Sequence, residues 1–191
     1  MSQRTRRLSA LGLAVAVIGF VAIVVLSSGG GGGGGQIPND ADGAFITGMV
    51  AHHKGALDMA VIAVDKAEHA EVKQLADRIV TEQNVEIDEL NAAHRRIYGE
   101  SVPAGGMQHG GSAEGMASEG DLNRLGSARP FDRAFIGLMV RHHQAAVRMA
   151  QAELDRGGDP ETRRLAQRII KTQSGEIDQM LAWRSAWYGG S

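Results

Sequence analysis

Residues 42–99 align with residues 132–189 without a gap, and 24 of the 58 aligned positions are identical. A chain that carries the same unit twice must find a fold in which that unit is stable twice over. The offset of 90 residues is too long for the 20–50 residue period of a solenoid, so this is one unit duplicated. The shared positions include Asp42/Asp132, Phe45/Phe135, Ile46/Ile136, Met49/Met139, His52/His142, His53/His143, Met59/Met149 and Ala60/Ala150. They continue through Leu75/Leu165, Arg78/Arg168, Ile79/Ile169, Gln83/Gln173, Glu86/Glu176, Ile87/Ile177, Asp88/Asp178 and Tyr98/Tyr188.

Each unit reads as two helices. Phe45, Met49, His52, His53, Ala56, Met59, Ala60 and Ala63 recur at spacings of three and four, which places them on one helical stripe. A second stripe runs through Leu75, Ile79, Glu86 and Leu90, with Gln83 and Ile87 beside it. In the second unit the break between helices is explicit: Gly157-Gly158 ends one, Asp159 caps the next and Pro160 suits its first turn. In the first unit the break near 67–71 has neither Gly nor Pro. Helices of roughly 25 residues would each be about 38 Å long. The segment 100–129 is far longer than the ~2–8 residues usual between antiparallel neighbours in a bundle. It can run the length of a bundle, and Ser118 with Asp121 three residues on predicts a short helix over about 118–125. The fold class expected is all-α, a ferritin-like four-helix bundle of two duplicated hairpins with a long crossover between helices 2 and 3.

The expected organisation has three parts. Residues 1–28 form a signal peptide or N-terminal membrane anchor, 29–39 a Gly-rich tether, and 40–189 the bundle, with repeat 1 at 42–99, a linker at 100–129 and repeat 2 at 132–189. Arg4, Arg6 and Arg7 precede an uncharged run from Leu8 to Leu26, about the ~20 residues that span a bilayer. The basic flank places the rest of the chain outside the cytoplasmic membrane, and Val25-Leu26-Ser27 would also permit cleavage. The protein is therefore expected to be secreted or anchored through an uncleaved N-terminus. The formal net charge is −2, and nothing suggests a nucleic-acid partner. A protein partner is not specified by the sequence. The chain has no cysteine, which removes disulfides, thiolate metal sites and Cys nucleophiles.

What chemistry remains is carried by Met-x-x-His-His-x-x-x-x-x-Met-Ala, present at 49–60 and again at 139–150. His52 and Met59 are two turns apart on one face, and Met49 lies one turn from both histidines. Adjacent histidines diverge by about 100°, so His52 and His53 cannot aim at one point. One of each pair can meet its repeat mate while the other faces Glu86 or Glu176, and a carboxylate behind an imidazole is the usual outer support of a metal ligand. The candidate metal residues are His52, His53, His142, His143, Met49, Met59, Met139, Met149, Glu86 and Glu176; no catalytic residue is identified. The methionines are read first as ordinary core packing and second as ligands, and a His–Glu pair can fix a core with no metal. Gln83 and Gln173 are candidate hydrogen-bonding neighbours of the glutamates. Met107, His109 and Met116 in the Gly-rich linker are a weak signal for further soft ligands. Thioether plus imidazole without thiolate suits copper, particularly Cu(I); zinc or iron is possible. A di-iron bundle wants Glu-x-x-His, which the four helices lack, so a ferritin-like redox enzyme is the weaker alternative.

The strings Asp-x-x-Phe-Ile-x-x-Met-Val-x-His-His at 42–53 and 132–143, with Met-Ala at 59–60 and 149–150, resemble the bacterial secreted family called domain of unknown function 305. The resemblance covers about 40–189. It implies a ferritin-superfamily bundle of two similar hairpins, with the signature histidines at His52, His53, His142 and His143. It also implies, for some members, periplasmic copper binding. The function expected is extracytoplasmic copper sequestration or transfer. The alternatives are the redox enzyme above and a metal-free interaction module with a His–Glu polar core.

Overall fold

A computed structural model describes residues 38–103 and 116–189. The proposed anchor, most of the tether, Met107 and His109 lie outside the described residues. Among these the protein is entirely helical: α1 (Asp40–Lys66), α2 (Ala70–Tyr98), α3 (Glu119–Ser127), α4 (Phe131–Arg156) and α5 (Pro160–Tyr188). The short α3 is the helix expected in the linker, and α1, α2, α4 and α5 are the four helices of the two repeats. None of the described helices is long and apolar enough to cross a membrane.

Local chemistry explains most of the helix ends. Asn39 opens α1 by accepting from Ala41 N (2.9 Å), and Asp42 returns the bond to Asn39 N (2.6 Å), a reciprocal capping box. Ser118 and Asp121 make the same box at α3. Asp159 caps α5 through Thr162 N at 2.8 Å, ahead of Pro160. Gly99 stops α2 in a left-handed conformation, φ 83°.

The start of α2 has no local cap, and the other repeat supplies what is missing. Asp132, at the start of α4, accepts from Glu68 N (2.9 Å) and His69 N (2.8 Å). Asp42, at the start of α1, accepts in the equivalent way from Gly158 N (3.1 Å) and Asp159 N (2.9 Å). Each repeat therefore holds the inter-helix turn of the other. A negative charge near a helix start is favourable for each of these two aspartates, and the structure adds a longer-range role. Both are fully buried, and their cross-repeat role explains why they tolerate burial.

Helix α1 packs on α2, α4 on α5, and α1 on α4, with α3 lying against α1 and α4. The apolar side chains form two clusters. One joins Phe45, Ile46, Met49 and Val50 of α1 to Leu90, Ala146, Ala150, Leu165 and Ile169. The other joins Ala56, Met59 and Ala60 to Leu75, Ile79, Leu125, Phe131, Phe135, Met139, Val140 and Met180. The first half of α1 thus meets the second half of α4, so the two helices run antiparallel. Each fully buried large side chain contributes about 1.5–3 kcal/mol by leaving water. Between the two clusters each helix switches to polar residues: His52 and His53 on α1, Gln83 and Glu86 on α2, His142 and His143 on α4, Gln173 and Glu176 on α5. A polar layer across the middle of the molecule separates the two apolar ends.

Candidate metal centre

At the centre of that layer the rings of His52 and His142 lie 3.7 Å apart, tilted by 39°. They are 2% and 0% exposed. None of their four ring nitrogens makes an aligned hydrogen bond among the described residues, although the His52 main chain lies close enough to act on the His142 ring. A buried polar atom without a partner costs about 1–3 kcal/mol, so a pair of such rings in contact needs a reason. Burial, followed by the neighbouring histidines, pushes His52 down to about 3 and His142 down to about 2. Both rings are therefore neutral near pH 7, each with one nitrogen lone pair free.

The second histidine of each pair faces outward from this contact. His143 Nε2 and Glu176 Oε2 are hydrogen-bonded at 2.7 Å. His53 Nε2 lies 2.7 Å from Glu86 Oε2, off the axis of a good hydrogen bond. The histidines are fully buried and the glutamates slightly exposed, with side chains at 15% for Glu86 and 11% for Glu176. Helical divergence separates the four histidines as the sequence implied: one central pair and two flanking His–Glu pairs. The side-chain amide of Gln173 has no partner, nor has Gln83 Oε1, so the expected bonds from these residues to the glutamates are not formed.

The methionines divide. Met49 and Met139 are fully buried within the apolar clusters. The terminal methyl of Met149 packs on α1, 3.0 Å from where a Cβ at Gly48 would lie. Met59 is also fully buried but lines a cavity of about 440 Å³ between α1, α3 and α4, with Met116, Asp121, Leu138, Arg141, Gln144 and Arg148. Met116, a weak signal in the sequence, approaches the same backbone position as the central His142. A Cβ placed on Gly55 would be 3.3 Å from His142 Nε2 and 3.8 Å from Met116 Sδ. Among the described residues no group of three or more His, Asp or Glu is arranged around one point. Any metal held here would rest on two imidazoles and softer groups.

Sequence reasoning missed Glu153, which is buried beside Asp42 and pushed up to about 8 by burial and then by that neighbour. Its signal was available: its repeat mate is Ala63, and a glutamate stands where the first repeat has a methyl.

The paired histidines at equivalent positions of two hairpins match a known pattern. The model of the Domain of unknown function (DUF305) covers residues 42–184. The chain belongs to the DUF305 family. Solved DUF305 structures include one from Deinococcus radiodurans, 32% identical with TM-score 0.68, covering 77% of this chain and 97% of that one. Another, from Streptomyces coelicolor and assigned as secreted, is 25% identical with TM-score 0.67, covering 76% and 93%. CopM in its Cu(I)-bound form is 40% identical with TM-score 0.67, covering 78% of this chain and 98% of CopM. The Cu(II)-bound form of CopM matches with TM-score 0.70 at the same identity, covering 77% and 97%. CopM has also been solved with silver and in the apo form. No curated protein matches this DUF305 chain.

Proposed function

We propose that this DUF305 protein is an extracytoplasmic copper-binding protein that sequesters the ion or hands it on, without turnover. The observation that carries the reading is the contact of two buried, neutral imidazoles, His52 and His142, whose ring nitrogens make no aligned hydrogen bond among the described residues. Copper accepts imidazole and thioether donors without thiolate, which is the donor set this cysteine-free chain offers. The similarity to CopM, solved with Cu(I), Cu(II) and silver, supports the choice of metal.

In this reading the domain is a ferritin-like four-helix bundle of two duplicated hairpins over 40–189. Residues 1–28 export or anchor it, and 29–39 are a tether. His52 and His142 are the primary ligands. His53 and His143, set by Glu86 and Glu176, keep the polar layer in place and are available as further ligands when the centre rearranges. Met59 lies on the cavity side, where it can exchange copper, whereas Met49, Met139 and Met149 serve the packing of the apolar clusters. The rings of His52 and His142 are already neutral, so uptake near pH 7 requires no proton to leave them.

The test uses the untagged protein from copper-supplemented cells, followed by elemental analysis and titration with Cu(I), Cu(II) and Zn(II). Copper is expected to co-purify at a defined stoichiometry and to be lost on replacing His52 and His142 together. Copper retained by that double variant would sink the assignment. A metal-free module fixed by the His–Glu pairs is the second reading, favoured by the aligned His143–Glu176 bond. It requires the protein to be indifferent to chelator and to copper.

A further inference from the structure

We propose that Met116, carried by the linker into α3, is the thioether ligand of the His52/His142 centre, and that copper reaches the centre through the cavity beside α3. This rests on the copper-binding reading and adds to it a third ligand and a direction of approach.

Four observations converge on Met116. Its sulfur and His142 Nε2 flank the same backbone position, at 3.8 Å and 3.3 Å from where a Cβ on Gly55 would sit. That nitrogen is buried and makes no aligned hydrogen bond, and the soft Met116 sulfur approaches the same glycine. The close approach of the ring is possible because the residue is glycine: its repeat mate is Ala145, and a methyl here would press on the imidazole. Met116 also lines the cavity of about 440 Å³ that Met59 borders, so it stands between this space and the buried histidines.

The position of Met116 is defined by its neighbours. Two residues later Ser118 opens α3, with Ser118 Oγ and Asp121 Oδ2 at 2.6 Å. Ala117, Leu122 and the buried Leu125 pack on the apolar cluster that contains Met59. The sulfur is therefore held against α1 by a short helix docked on α1 and α4. Met116 lies outside both repeats, so it has no twofold mate, and it makes a centre built from equivalent histidines one-sided. Around the cavity, Arg141 on α4 opposes approach of a hydrated dication, and Asp121 is engaged with Ser118 and Arg124. Stepwise exchange of a soft monovalent ion between thioethers is less sensitive to that charge, and two imidazoles with one thioether suit Cu(I) or Ag(I) better than Zn(II).

The experiment compares the full chain with M116L and G55A. The readouts are Cu(I) competition against a chromophoric chelator, X-ray absorption at the copper edge, and melting of the metal-free protein. Leucine keeps the bulk of Met116 and removes the sulfur. M116L is expected to lose a copper–sulfur contribution and to weaken Cu(I) binding by about 10- to 100-fold, the range typical when a site loses a supporting group. Its metal-free melting should be unchanged. G55A should weaken Cu(I) binding through crowding of His142 while keeping the sulfur contribution. Unchanged sulfur scattering and affinity in M116L would overturn the proposal, as would their loss in M59L alone. In either case histidine-dependent copper binding would survive. Absence of such binding in the unsubstituted chain would instead remove the copper reading itself, and this proposal with it.

Discussion

The carboxylate of Asp132 holds His69 twice, accepting its main-chain N–H at 2.8 Å and contacting its ring Nδ1 at 2.6 Å. The same carboxylate accepts from Glu68 N, and Trp187 stacks on the His69 ring at 3.8 Å. One side chain of the second repeat thus secures the turn of the first. Asp132→Asn keeps the size and removes one acceptor oxygen, so main-chain N–H groups that are shielded from water lose a partner. The expected loss is about 1–3 kcal/mol in urea unfolding, and Asp42→Asn should cost a similar amount at the opposite turn. A negligible effect at both positions would show that neither carboxylate secures its turn.

Glu153 gives the protein a dependence on pH. Its carboxyl is raised from the ordinary value near 4.5 to about 8 by burial and the adjacent Asp42. Between these two values the unfolded chain has lost the proton while the folded protein retains it, so stability falls as pH rises through that window. Asp159 is held down to about 2 by bonds from Arg96 and Thr162 that outweigh its burial; its contribution is lost only in stronger acid. Glu153→Gln should flatten the decline between pH 5 and 8, a change of order a few kcal/mol. Urea midpoints at several pH values would measure it, and an unchanged slope would exclude Glu153 as the source.

The central histidines should cost stability in the absence of metal. Replacing His52 and His142 together by Leu removes buried nitrogens that make no aligned hydrogen bond, so the chelated double variant is expected to melt at the same temperature or higher. The unsubstituted protein should gain about 2.7 kcal/mol when free copper is a hundred times the dissociation constant, and the variant should gain nothing. Severe destabilisation of the metal-free variant would instead mark the histidine contact as structural.

The two His–Glu pairs are not equivalent. His143–Glu176 is an aligned hydrogen bond, whereas His53–Glu86 is a close contact off the hydrogen-bond axis, with the more exposed carboxylate. Glu176→Leu leaves His143 Nε2 buried without its partner and should cost about 1–3 kcal/mol; Glu86→Leu should cost less. Equal losses in thermal or chemical unfolding would contradict the difference in geometry.

Helix content and the break between α4 and α5 were legible because they depend on short-range chemistry. The three-and-four spacing, Gly157-Gly158-Asp159-Pro160 and the Ser118–Asp121 box each act within a few residues. The division of the histidines was also legible, since a helix must splay adjacent side chains. Cross-repeat contacts were not. Nothing local distinguishes an Asp that caps its own helix from one that also holds a turn more than sixty residues away, as Asp132 holds His69. The start of α2 lacked a signal for the same reason: its first N–H groups are satisfied from the other hairpin. Met116 was visible only as a methionine in a Gly-rich linker, because its nearness to His142 depends on how α3 docks.

The reciprocal hold between Asp42 and the 157–159 turn, and between Asp132 and the 67–69 turn, has a consequence for ancestry. Each hairpin carries one aspartate and one receiving turn, so a single hairpin already owns both halves of the joint. Two copies of a half-length polypeptide, related by a twofold axis, would close the same two joints and bring two identical histidines together on that axis. Fusing the copies frees them to diverge. Glu153, Gly55 and the inserted α3 are among the places where the two halves of this chain differ.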